Sequence, residues 1–482
     1  RHTRAFMGDL NMADAALTGS TEPTGTVQGG MLGSKSFGWA MFEWARNPYY
    51  NVVVIFTFAP YFAASIVGDK EQGQILTSLL ITIAGIIMAI VSPILGSVVD
   101  NAGRKKPFIF IVLTLLALCS IGLGFITPDF PFAIPLAMAL MIVGYCSYTI
   151  SELLHNAMLP GAAAPKSLPL VSGLGLAMGN AAGMIFLVTI ALTSQNPPFG
   201  LTEQDISRLS AAVVGVWLLL FIPVFFWLMP DVFKTGATWS KALSDFRNPA
   251  NRVSPVKWIT SRFQQHPNVM RYLVGRMIYA DGIAALLTIG GVYITGVLQW
   301  NAQQLAVYGI IASLMAIVGA FTGGLLDRTF GPKRALTIEL SAAIMIGIFQ
   351  LSITENALLF GLIPAGHDIW SGPVFTRLSD VAYLAAIIPG TIFLVGAISS
   401  SRYMLLHISP PEKVGEFFGF YAMSGSVTVW LGPGSVALVT WLSGDQRAGF
   451  APVLFLLATG LAIILTVKAD KTPEHMKTEA EA

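Results

Sequence analysis

Charged side chains are scarce in this chain. Asp, Glu, Lys and Arg together make up 11% of its 482 residues, against about 25% in a soluble domain. So little charge cannot cover a water-facing surface, which excludes an ordinary soluble globular protein. Neither sign dominates, and the net charge of +2 leaves no basic footprint for nucleic acid. The two cysteines, Cys119 and Cys146, both fall in apolar runs. They read as small buried thiols, not as a disulfide framework or metal site. There is no metal-ligand cluster, nucleotide loop or nucleophile–base arrangement, so neither enzyme chemistry, metal nor cofactor is expected. No sodium-site signature is visible. The first residues are polar, rich in Gly, Thr and Ala, and lack the apolar core of a signal peptide. Residues 1–36 are expected to be a disordered cytoplasmic tail.

Apolar sequence is abundant, at 54% of the residues. A helix needs about 20 apolar residues to cross a bilayer. Runs of that kind lie at 37–64, 75–99, 107–126, 132–155, 168–192 and 211–229. After a polar interruption they resume at 269–298, 305–326, 335–353, 379–406, 417–441 and 451–467. The ninth run trails on into 357–363. The expected fold is therefore all-α: twelve transmembrane helices in two pseudo-symmetric six-helix bundles. The bundles span 37–230 and 269–467, joined by a central loop at 231–268 and followed by a tail at 468–482. Trp239, Phe246, Trp258 and Phe263 stand among the basic residues of that loop, a pattern that suits amphipathic helices lying on a membrane surface. Loops after even-numbered helices hold most of the lysines and arginines, so the positive-inside rule places that loop and both termini in the cytoplasm. Gly173, Gly175, Gly179 and Gly183 have helical spacing on the fifth segment and read as a packing face.

Two stretches repeat about half a chain apart: Gly96-x-x-x-Asp100-x-x-Gly103-Arg104-Lys105-Lys106 and Gly323-x-x-x-Asp327-Arg328-x-x-Gly331-x-Lys333-Arg334. A polar, basic loop repeated at half-length in a hydrophobic chain points to a duplicated membrane bundle. Each aspartate can face the positive N-terminal end of a helix in the opposite half, worth about 0.3–1 kcal/mol. Asp100, Arg104, Asp327, Arg328 and Glu416 are accordingly read as gating residues. The spacing resembles the signature loop of the major facilitator superfamily, with one extra residue in the second copy.

An ionisable group inside a membrane is costly unless paired or hydrated, so each is a functional candidate. Glu43 and Arg46 lie three apart on the first helix and can pair there. Glu152 and His155 share that spacing on the fourth. Arg276 and Asp281 lie on the seventh, Arg402 on the tenth, and charge is scarce on the other helices. Helices one, four, seven and ten are those that line the central cavity in the fold the resemblance implies. Glu152 precedes Pro160 by the same interval as Arg402 precedes Pro410, so symmetry would set an acid and a base on facing helices, able to attract and close the cytoplasmic side. Snorkelling to headgroups is the alternative use for charges near helix ends.

Trp39-Ala-Met-Phe-Glu43-Trp44-Ala45 resembles the Trp-Ala-x-Tyr-Asp-Trp-Ala of the autophagy-type vacuole effluxers and their bacterial relatives. His155-Asn156-Ala157-Met158-Leu159-Pro160 with Val171-Ser172-Gly173, Arg276-Met-Ile-Tyr279-Ala-Asp281-Gly282, Ser401-Arg402, Glu416-Phe417-Phe418-Gly419-x-Tyr421 and Leu431-Gly432-Pro433 are similar to further motifs of that branch, in the same order. The resemblance implies a transporter, since known members include vacuolar exporters of amino acids. Three departures fall on cavity helices. Arg46-Asn47 stands for Asn-Ser, Ala280 for Asn and Ile398 for Gln, so the resemblance does not by itself imply amino-acid specificity.

The expected function is secondary transport of an amino acid or another small zwitterionic or anionic metabolite by alternating access, with proton coupling favoured over facilitated diffusion. Candidate substrate-binding or coupling residues are Glu43, Arg46, Asn47, Glu152, His155, Asn156, Arg276, Asp281 and Arg402. A lipid or amphiphile flippase and a non-transporting receptor or assembly subunit are the alternatives. The expected setting is a monomer among the lipids of a bacterial inner membrane, with no nucleic-acid partner.

Overall fold

In hydrocarbon each backbone N–H and C=O must be satisfied within its own segment, so long apolar runs become helices. The computed structural model describes residues 33–99, 104–163, 168–231, 255–410, 417–418, 420–421 and 428–469. Among these, eleven helices are long and apolar enough to cross a membrane. The first half contains α1 (Ser34–Val67), α2 (Lys70–Val99), α3 (Lys106–Leu123), α4 (Ala133–Asn156), α5 (Leu168–Gln195) and α6 (Glu203–Leu228). A short helix, α7 (Pro255–Gln265), precedes the second half. That half contains α8 (Pro267–Leu298), α9 (Ala302–Phe330), α10 (Pro332–Leu351), α11 (Leu378–Ile408), α12 (Leu431–Ser443) and α13 (Gln446–Leu465). The run at 417–441 is partly outside the described residues, and α12 is its latter part. Trp239 and Phe246 lie outside them too, as do most of the tails at 1–36 and 468–482. Trp258 and Phe263 fall on α7.

Local chemistry fixes where helices begin. Thr202 and Asp205 form a reciprocal capping box at the start of α6, and Asn301 and Gln304 form another at the start of α9. In α1, Pro48 has no N–H to donate, and from there the chain widens into π-helical turns over Tyr49–Phe56 and Phe62–Val67. Such widenings often accompany functional sites. On α5, a Cβ added at Gly175, Gly179 or Gly183 would collide with Trp39, Asn47 or Asn51 of α1. These three glycines let the two helices touch, as their spacing predicts, whereas a Cβ at Gly173 meets nothing within 4 Å among the described residues.

Each half has its own core, with Val292 and Ala306 of the second half packed into that of the first. Trp39, Phe42, Phe58 and Phe225 anchor the first, and Tyr272, Tyr279, Leu340 and Phe417 the second. The halves meet at the end of the bundle where α6 and α9 begin. There Phe56 packs edge-on against Tyr308 at 5.4 Å. Gln74 Nε2 donates to Thr440 Oγ1 at 2.9 Å and to the Gln446 carbonyl at 3.0 Å. The Gln303 amide donates to Glu203 Oε1 at 3.3 Å.

The ninth apolar run does not continue as helix. α10 stops at Leu351, and Ala357–Leu358 pairs antiparallel with Ile363–Pro364 across a tight turn. Residues 357–363 thus form a hairpin after the helix, because a 20-residue helix already spans and Gly361 takes a left-handed φ of 97°. Arg377 ties this loop down. Its guanidinium donates to Asp380 at 2.9 and 3.0 Å, to Glu355 at 2.8 Å and to the Leu298 carbonyl at 2.7 Å. Trp300 Nε1 also donates to Asp380, at 2.8 Å. Removing Arg377 leaves Asp380 buried without its cation. Arg377→Ala is expected to destabilise by about 1.5–3 kcal/mol, read as a lower thermal midpoint that Arg377→Lys partly recovers.

Candidate functional site

Between the halves lies a cavity of about 1410 Å³, lined by Glu43, Arg46, Asn47, Glu152, Asn156 and Arg402 among others. At its sealed end the wall is apolar and aromatic: Ile55, Phe56, Tyr293, Ile294, Tyr308 and Phe450. The charged side chains lie toward the other end, where Glu152 and Arg402 are exposed.

Arg46 is the centre of the polar layer and is only 2% exposed. Its Nη2 donates to both carboxylate oxygens of Glu43 at 2.9 Å, and Nη1 donates to the Tyr148 carbonyl at 3.1 Å. Glu152 lies 3.6 Å from Nη1. The guanidinium carbon sits 4.1 Å from the centroid of the Tyr148 ring, a cation–π contact that helps hold a charge out of water. The Tyr148 hydroxyl in turn donates to Asn47 Oδ1 at 3.3 Å. Three helical positions separate Glu43 from Arg46, so α1 supplies the pair itself.

His155 does not line the cavity. It is fully buried, with its ring stacked between Trp39 at 4.1 Å and Phe42 at 3.8 Å. Nε2 lies 2.9 Å from the Trp39 carbonyl, and Nδ1 lies 3.3 Å from Glu43 Oε1.

Several expected placements change. Symmetry set Glu152 against Arg402, but Glu152 turns to Arg46 in its own half, and the cavity separates it from α11. Arg402 makes no ion pair among the described residues. Arg276 and Asp281 are not among the cavity-lining residues, although six charges were expected to face it. The Arg276 guanidinium donates to the Tyr421 carbonyl at 2.7 Å and lies over that ring at 3.6 Å. Asp281 is 1% exposed and bonds Thr428, ahead of α12. Asp327 does not face the opposite half. It is buried in its own, beside Ser400 of α11 and Glu339 of α10. Arg328 is exposed, Arg104 lies at a smaller cavity with Lys106, Phe226 and Asp231, and Asp100 and Glu416 lie outside the described residues.

Glu339 is the residue sequence reasoning missed. It is fully buried, Oε1 accepts from the Ser400 hydroxyl at 3.2 Å, and Oε2 has no hydrogen-bond partner among the described residues. Gly323 and Gly396 make room for it, since a Cβ there would come within 3.2 and 2.6 Å of Oε1. The available signal was an acid within the apolar run that follows Arg334.

The sequence profile of the family described as "Vacuole effluxer Atg22 like" matches residues 74–168 and 166–477. An uncharacterized MFS-type transporter, YxiO of Bacillus subtilis, is 22% identical over 448 residues, covering 92% of this chain and 95% of that one. Autophagy-related protein 22 of Yarrowia lipolytica is 26% identical over 334 residues, covering 64% of this chain and 53% of its own length. The chain thus spans about half the length of the fungal relatives it matches. Among solved structures, a D-xylose–proton symporter superposes with a TM-score of 0.64 at 11% identity, over 92% of this chain and 98% of that one, a likeness of fold.

Proposed function

Because the chain belongs to the vacuole effluxer Atg22-like family and is a membrane transporter of the major facilitator type, we propose that it moves a small solute bearing an anionic group by alternating access, coupled to protons. One observation carries the reading: two arginines from different halves, Arg46 on α1 and Arg402 on α11, reach the same cavity, and Arg402 has no ion-pair partner among the described residues. A carboxylate or phosphate bound between them would draw the halves together, which is the differential affinity that alternating access needs. Glu43 and Glu152 stand ready for a cationic group, so amino acids and other zwitterions fit the same site. Asn47 and Asn156 supply neutral hydrogen bonds.

The cavity opens at the end that carries Arg104 and Lys106. With the positive-inside rule this is the cytoplasmic face, so both termini and the region of α7 lie in the cytoplasm. The match along nearly the whole of a Bacillus chain supports a bacterial cytoplasmic membrane. Asp100, Arg104, Arg328 and Glu416 act as gating residues on that face when the cavity closes. Each half would serve as one rocking unit, a division supported by their separate cores.

The test is a thermal-shift screen of carboxylate- and amine-bearing metabolites on purified protein, followed by uptake of each hit into proteoliposomes. Arg402→Gln is expected to weaken apparent affinity for an anionic solute by about tenfold or more, as loss of a charge-assisted hydrogen bond implies, while the thermal midpoint stays unchanged. The apolar wall of Ile55, Phe56, Ile294 and Phe450 favours a second reading, translocation of a lipid or other amphiphile. Fluorescent-lipid transfer without solute uptake would establish that instead.

A further inference from the structure

The contacts of His155 fix where a proton must lie. Nε2 is 2.9 Å from the Trp39 carbonyl, which can only accept, so Nε2 carries a hydrogen. Nδ1 then faces Glu43 Oε1 at 3.3 Å, and among the described residues no other group hydrogen-bonds it. A bare imine nitrogen and a carboxylate oxygen are both acceptors and would repel at that distance. A proton between them removes the conflict. Glu43 also accepts two hydrogen bonds from Arg46, which hold it as an anion, so at rest the proton sits on Nδ1. The resulting imidazolium lies flat between Trp39 and Phe42, whose π faces favour a cation. Glu43 and Arg46 of α1 are the charged groups acting on His155, with Glu152 of its own helix beyond Arg46. From α6 it meets the Phe225 ring. His155, Arg46, Glu43 and Glu152 form a four-charge array of zero net charge.

We propose that His155 and Glu43 are the proton-carrying site of transport, a deepening that rests on the solute-transport reading above. An anionic solute docking on Arg46 competes with Glu43 for the guanidinium. The Glu43 carboxylate, deprived of its cation, takes the proton from Nδ1, and both groups become neutral. No other bond forms or breaks. Glu43 is the member of the pair at the cavity, so it passes the proton to cavity water when the solute leaves, and His155 regains one from the face on which the cavity next opens. The buried ring stores the proton, and the half-buried acid exchanges it.

Two measurements test this. The first needs no solute: nitrogen-15 spectra of histidine-labelled wild-type protein at neutral pH. A buried, doubly protonated imidazolium signal that vanishes in His155→Gln is expected. A neutral His155 together with no protonated carboxylic acid band sensitive to Glu43→Gln in the infrared would mean no proton on that line, and the proposal falls. The second uses the solute found by the uptake screen, with His155→Gln, which keeps a donor for the Trp39 carbonyl, and His155→Phe, which keeps the ring stack. Both are expected to lose accumulation driven by a pH gradient, and with it the luminal pH change reported by a trapped dye, while solute exchange without a gradient remains measurable. Gradient-driven accumulation equal to wild type in either folded variant would overturn the proposal. If wild-type liposomes move no solute at all, the transport reading fails, and the spectra still decide the proton's position.

Discussion

Arg46→Gln is expected to abolish transport and to destabilise the protein by about 3–5 kcal/mol, the usual cost of breaking a buried ion pair by removing one partner. The cost arises from what remains. Glu43 loses two hydrogen bonds at 2.9 Å, the Tyr148 carbonyl loses its donor, and Glu152 loses its nearest cation. The double variant Glu43→Gln with Arg46→Gln is expected to recover much of the thermal midpoint, because two amides can bond each other across the same helical turn. It is not expected to recover transport, since neither the anion-binding charge nor the proton acceptor returns. Stability and function therefore separate in one comparison. A single variant that keeps the wild-type midpoint would show that Glu43 does not depend on Arg46, and the four-charge array would lose its centre.

The architecture was legible because membrane insertion writes it in long apolar runs, and the repeat at half-length supplied the symmetry. Charges on α1, α4 and α11 were legible for the same reason: an ion stands out in an apolar run. Sequence position does not reveal which way a helix is rotated, and that is where the reading failed. Asp281 shares α8 with residues that line the cavity, yet it turns toward Thr428. Glu152 was assigned to Arg402 by symmetry, whereas a closer arginine on α1 takes it. Glu339 stands five residues after Arg334, where an acid near a basic loop reads as solvated, and only the packing of α10 on α11 buries it. The apolar run at 357–363 left the end of the ninth helix open, because apolar composition alone does not separate a short strand from a helix end. Six of the nine candidate residues thus line the cavity, and the pairing of Glu43 with Arg46 was legible from their spacing, whereas the partner of Glu152 was not.

Gly291→Ala is expected to pry the halves apart at the sealed end and to trap the cavity open there. A Cβ at Gly291 of α8 would lie 2.2 Å from the carbonyl oxygen of Ile55 in α1 and 3.2 Å from Pro60. The Ile55 oxygen belongs to the backbone, so no rotamer change relieves the clash and the helices must separate. Each half keeps its own core, so the strain falls on the seam between them and not on the fold. Overpacking of this kind costs about 1–3 kcal/mol, which shifts a two-state equilibrium by roughly 5- to 150-fold. Its neighbour is the control, because a Cβ at Gly290 meets nothing within 4 Å among the described residues. Ala59, 1% exposed beside this seam, is a suitable position for a reporter cysteine in a background with Cys119 and Cys146 replaced by serine. Labelling by a membrane-impermeant thiol reagent added at the sealed face is expected to rise in Gly291→Ala and to stay at the background rate in Gly290→Ala, while solute uptake falls in the former. Equal labelling in both variants would mean that this contact is not a gate, and the outer seal would then rest on the other contacts of the seam: Phe56 with Tyr308, Gln74 with Thr440 and Gln446, and Gln303 with Glu203.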